Sequence, residues 1–226
     1  MTAGDDGVSD ANGRDKSEPD SRPARPFHRP APLPSMDAFA RADLDPAVVS
    51  QVAHESAGAL LHVGRAADDP ELTDRLIRLV DELGLDTIAE LWSMQPARSL
   101  PGCLWRLYAL REWVRRDPAG ASAEYRGGLA YADVAGVVAG VASPPGPQEL
   151  RELADAILRG VFDGDVGVAL HRAAAFCRVI AAGRAADAPV VSPGESARHA
   201  KRAASMLGTG EDLDACARLW ARDQLV

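Results

Sequence analysis

Aromatic residues are scarce in this chain. Phe, Trp and Tyr together make up 5% of its 226 residues, so Leu, Val and Ala have to supply most of any core. Cysteine is scarcer still. Cys103, Cys177 and Cys216 form an odd set with no CxxC spacing, which reads as reduced thiols in a cytoplasmic protein. The opening MTAGDDGVSD holds no basic segment followed by an apolar one, so nothing in it reads as a secretory signal. Long apolar runs are missing too. The stretch from Gly128 to Val141 contains Asp133 and falls short of the roughly 20 residues a spanning helix needs, so no membrane association is expected. No pair of convincing strand patterns occurs anywhere.

Charge is plentiful but unbalanced: 33 Asp and Glu against 25 Lys and Arg leave a formal net charge of −8. That average repels a phosphate backbone, and nucleic acid is not the expected partner; a local basic stripe is the one arrangement that would bind it. Residues 1–35 hold only Met1, Val8, Phe27 and Leu33 as large apolar side chains. Too little surface can be buried there to offset the entropy of ordering, so a disordered tail is expected. It ends in RPARPFHRPAPLP, a Pro-rich, basic segment suited to an extended, polyproline-like conformation. Met36 is a second candidate start. Residues 36–226 are expected to form a single helical domain.

Within that domain the helical signals are regular. Asp45-Pro46, Asp69-Pro70 and Asp117-Pro118 each set a capping carboxylate before a proline at the first helical position. The first helix is expected to bury Val49, Val52, Ala53, Leu60 and Val63. A second runs from Glu71 to Leu83, stopped by Gly84, and Asp86 is placed to cap a short third. Pro101 to Arg116 is apolar almost all round, which marks a central helix. Helices then follow near 119–127, 131–141, 148–161 and 165–184, with two last ones near 195–206 and 211–222. The expected fold class is all-α, a bundle of about seven to nine helices. A weak internal duplication is suggested by Gly64-Arg65-Ala66-Ala67-Asp68, which recurs at Gly183-Arg184-Ala185-Ala186-Asp187, and by the LDxxAxLW pattern ending in Trp92 and again in Trp220. The two tryptophans are expected to be matching core anchors.

Chemistry-bearing patterns are few. Phe162-Asp163-Gly164-Asp165 resembles the FDGD core of the magnesium loop in the large subunits of multisubunit RNA polymerases, but Val161 stands where that loop carries its first Asp. The alternative is a tight interhelical turn with Asp165 as N-cap, and an enzymatic reading would rest on Asp163, Asp165 and His171. His54-Glu55 begins like HExxH, yet position 58 is Gly58, which excludes a zincin. No nucleophile elbow and no phosphate-binding glycine loop is present. The cysteines sit on apolar helix faces as inert core thiols, and Gly136…Gly140 reads as close helix packing. No cofactor or metal is expected, and the balance leans away from an enzyme. Arg98, Arg106, Arg111, Arg115 and Arg116 cluster around the Trp105/Tyr108/Trp113 helix, and are read either as a rim snorkelling from an aromatic core or as an interaction surface.

The segments Leu100–Tyr108 (LPGCLWRLY) and Ala173–Val179 (AAAFCRV) resemble a family of short helical proteins from high-GC bacteria whose members often carry the label "DNA-directed RNA polymerase subunit beta". The resemblance covers roughly residues 36–226 and brings no catalytic residues. It implies a transcription-associated factor contacting RNA polymerase or nucleic acid as the second function class. The first is a non-catalytic helical protein that binds another protein.

Overall fold

The computed structural model describes residues 45–67, 69–140, 145–187 and 193–226; the tail of residues 1–35 lies outside them. Every regular element among the described residues is a helix. In chain order these are α1 Pro46–Ala67, α2 Pro70–Ile77, α3 Leu79–Leu83, α4 Leu85–Trp92, α5 Leu100–Arg116, α6 Pro118–Leu129, α7 Asp133–Ala139, α8 Pro147–Phe162, α9 Val166–Ala186 and α10 Pro193–Trp220. The all-α expectation holds, with slightly more helices than foreseen.

Local chemistry sets most of the boundaries. Asp69, Ser99, Asp117 and Asp165 each accept a backbone N–H of the first turn of α2, α5, α6 and α9, satisfying donors the helix leaves orphaned. Asp86 does not cap α4. The N-cap position there is Gly84, at φ +83°, without a side-chain bond. The single helix expected over 71–83 is broken at Arg78 into α2 and α3. Conversely, the break expected between 206 and 211 is absent, and α10 runs unbroken through Gly208-Thr209-Gly210. Gly210 is buried, and a Cβ there would come within 3.0 Å of the Ala174 carbonyl oxygen. It serves the approach of α10 to α9 and does not stop the helix.

The core is built around α9, which packs along α10, α6, α7 and α8, while α5 packs against α8, α1 and α4. By length and composition α9, unlike the Gly128–Val141 stretch, could cross a membrane; here 67% of its apolar window is buried inside the bundle. Gly128 on α6 and Gly183 on α9 allow these helices to touch backbone to backbone. A Cβ on Gly128 would collide with the Val179 carbonyl, and one on Gly183 with that of Glu124. The expected Gly136…Gly140 packing motif is different: Gly140, at φ +100°, is the left-handed cap that ends α7.

Of the residues expected to be buried on α1, Ala53 is buried and Leu60 packs against the core, but the inner face is not the one the valines mark. It is Ala53, Ala57, Leu61 and Gly64, spaced by four, four and three, a row of small residues with one leucine. Gly64 fits against Phe162 and Leu76, whose side chains a Cβ would crowd at 2.8 and 2.9 Å. Because the close-packed row faces inward, Val52 and Val63 stay 46% and 47% exposed. On α5 the expected core residues Cys103, Leu104, Leu107, Tyr108 and Val114 are buried. The Tyr108 hydroxyl donates to the Leu76 carbonyl at 2.7 Å, and Trp92, fully buried, donates its indole N–H to Ser56 Oγ at 3.0 Å.

Candidate functional site

The arginines on and just before α5 do not form one open basic face. Arg98 pairs with Asp212 of α10 at 3.0 Å, and Arg106 lies 3.9 Å from the same carboxylate. Arg115 reaches Asp81 at 3.5 Å, and Arg116 pairs with Glu112 one turn back at 2.7 Å. Arg111 corrects the rim reading outright. Its side chain is 1% exposed, with Nε donating to Asp155 at 2.6 Å and the terminal nitrogens donating to Asp81 at 3.4 and 3.3 Å. Burial disfavours the cation, but the hydrogen bonds to Asp81 and Asp155 outweigh it and hold the guanidinium above its ordinary pKa. Spacing explains its depth: Leu104, Leu107, Arg111 and Val114 follow one another at three, four and three residues, one stripe of the helix. Arg111 therefore ties α5 to α3 and α8, an internal clamp that no partner can reach.

Asp163 and Asp165 shape the turn between α8 and α9. Asp165 Oδ1 accepts the Val168 N–H at 3.0 Å, and Asp163 is the C-terminal residue after α8. His171 is held elsewhere: its Nδ1 lies 2.7 Å from Asp214 on α10, which also takes hydrogen bonds from Arg178 and Arg218. Desolvation opposes ionisation of Asp214, yet the hydrogen bonds from Arg178 and His171 prevail and hold its carboxyl below the usual aspartate value. No hydrogen bond among the described residues joins Asp163, Asp165 and His171, and no three His, Cys, Asp or Glu among those residues gather as a metal site. His54 Nδ1 lies 2.7 Å from the Ser50 carbonyl of its own helix.

All three cysteines are buried and unpaired by disulfides. Desolvation pushes Cys177 up to about 12, and a hydrogen bond to Cys216, then burial, hold Cys103 well above the usual thiol value. Cys177 and Cys103 are therefore poor nucleophiles.

An open site forms where the C-terminal half of α1 meets the end of α10. Gly58, Leu61, His62, Arg65, Ala66 and Trp220 line a shallow groove of about 430 Å³. The Arg65 guanidinium lies 6.0 Å over the Trp220 ring and donates to the Gly164 carbonyl at 2.8 Å, so the FDGD turn fixes the arginine that covers the tryptophan. A second hollow of about 300 Å³, lined by Gly64, Asp69, Thr73 and Phe162 among others, shares Arg65 with it. Trp220 is thus half-buried at the surface, whereas Trp92 is a core anchor. The two do not match, because Trp92 ends a short helix under α1 and Trp220 ends a long one beside it. The sequence did carry a sign of the groove. The other arginine of the repeated GRAAD segment, Arg184, also stacks on a tryptophan, Trp113, at 4.9 Å. In both copies the glycine is a close-packing point and the following arginine covers an indole.

The two segments that carry the family resemblance fall in the core. Leu100–Leu104, Leu107 and Tyr108 are buried on α5, and Ala173–Cys177 on α9, so what they share is packing. No family model matches this chain, and neither does any curated protein or solved structure.

Proposed function

We propose that this chain is a non-catalytic helical protein that acts by binding another protein, through the groove between α1 and Trp220. The observation that carries this reading is Trp220, left partly exposed beside an apolar floor and braced by Arg65. Tryptophan and arginine dominate the energetic centres of protein interfaces, because a large rigid ring buries much area at little entropic cost. The outer face of α1 supports it. Val48, Val52, Ala59 and Val63 are spaced by four, seven and four residues and form one exposed stripe along the helix whose C-terminal half lines the groove. A partner segment with small apolar anchors would cover both.

The test is affinity capture from native lysate with the full chain, beside Trp220→Ala and Val52→Glu. Val52 is exposed, so its substitution leaves folding intact. A protein captured by the wild type and lost with both variants supports the reading. The same captured set with all three baits contradicts it.

A further inference from the structure

We propose that a basic groove between the end of α9 and the first turns of α10 binds a small ligand carrying two or more phosphate groups. The groove has a volume of about 610 Å³ and is lined, among the described residues, by Arg184, Arg198, His199, Lys201, Arg202 and Ser205, with Glu195 as the one carboxylate among them. That volume falls in the range typical of small-molecule sites. In a chain of net charge −8, three cations without an ion pair among the described residues, beside an Arg184 paired with Glu124, stand apart from the average surface.

The cations differ in how they are held. Arg184 is fixed: its Nε donates to Glu124 at 2.8 Å and its guanidinium stacks over Trp113 at 4.9 Å. It forms a rigid wall on α9. Arg198, Lys201, Arg202 and Ser205 follow at three, one and three residues along α10 and share one face. No carboxylate among the described residues lies within ion-pair distance of Arg198, Lys201 or Arg202. The arginines on and just before α5, by contrast, are each paired with an Asp or Glu. Three like charges on one helix face, with no ion pair among the described residues, repel one another, and an anion with several negative oxygens relieves that repulsion. Arginine forks and a lysine ammonium suit phosphate oxygens, and the Ser205 hydroxyl can add a neutral donor. A ligand with a single charge would leave most of these donors unused.

The experiment is calorimetric titration of the full chain with inorganic tripolyphosphate at constant ionic strength. Saturable one-to-one binding is expected. Lys201→Gln and Arg202→Gln should each weaken it by about tenfold or more, the loss of one charge-assisted contact. Arg75→Gln, an exposed arginine on α2, should leave it unchanged. Circular dichroism of each variant checks that the fold is kept. Absence of saturable binding, or equal weakening by Arg75→Gln, overturns the proposal. So does tighter binding of a single-stranded oligonucleotide than of tripolyphosphate at equal phosphate concentration, which would assign the groove to a nucleic-acid backbone.

Discussion

Replacing Arg111 by Ala removes the cation that Asp155 and Asp81 share beneath α5. Breaking a buried pair from one side typically costs about 3–5 kcal/mol, because the remaining charges are stranded. One feature places this case near the lower end of that range. The side chains of Asp81 and Asp155 keep 29% and 35% of their accessibility, so water can reach both once the arginine is gone. Arg111, however, lines a small hollow with Leu107, Leu110, Ile157 and Phe176, and truncating it would enlarge that void. About 3 kcal/mol is the expected cost, a large fraction of the 5–15 kcal/mol that holds a typical domain. Arg98, whose side chain is 61% exposed in its pair with Asp212, should cost under about 1 kcal/mol on the same substitution. Urea unfolding followed by far-ultraviolet circular dichroism measures both. If Arg111→Ala is no less stable than Arg98→Ala, the clamp is not what joins α5 to α3 and α8.

Three further expectations follow from local geometry. The Tyr125 hydroxyl is buried without a hydrogen-bond partner among the described residues, so Tyr125→Phe should be neutral or stabilising, whereas Tyr108→Phe, which loses the bond to Leu76, should cost about 1 kcal/mol in the same unfolding assay. Asp165→Ala removes the N-cap of α9 and should lower stability by about 1 kcal/mol, while millimolar magnesium should leave the melting temperature of the wild type unchanged, since a ligand of the native state would raise it. Asp214 has its pKa lowered in the folded chain, so the unfolded chain binds its proton more readily; the stability it contributes is complete above the ordinary aspartate value of about 3.9 and is lost as the pH falls below it, and Asp214→Asn should flatten that part of the stability curve.

The helices were legible in the sequence because caps and periodicity are local. Asp69, Asp117 and Asp165 cap where an Asp before a helical run should. Burial was harder to read, because it depends on which face a neighbour takes. On α1 the valines read as core, yet the inner face is the small row Ala53, Ala57 and Gly64, chosen by how closely α2 and α8 approach. Arg111 sits in register with Leu107 and Val114, a signal of depth that its charge concealed. The break at 206–211 failed for a similar reason: a glycine that stops an isolated helix can instead admit a neighbouring one, as Gly210 does against α9. The groove beside Trp220 needed α1 and the end of α10 brought together; the repeated GRAAD segment marked Arg65, but not the tryptophan it covers.

The central claim is that Trp220 and the adjoining face of α1 are a protein-binding surface. Its most direct measurement is the affinity of the purified captured partner for the full wild-type chain and for Trp220→Ala, by calorimetry, with circular dichroism showing that the variant stays folded. An interface centre of the usual strength, at least about 2 kcal/mol, predicts a Kd raised roughly thirtyfold or more by the substitution. An unchanged Kd for a folded Trp220→Ala chain would contradict the claim.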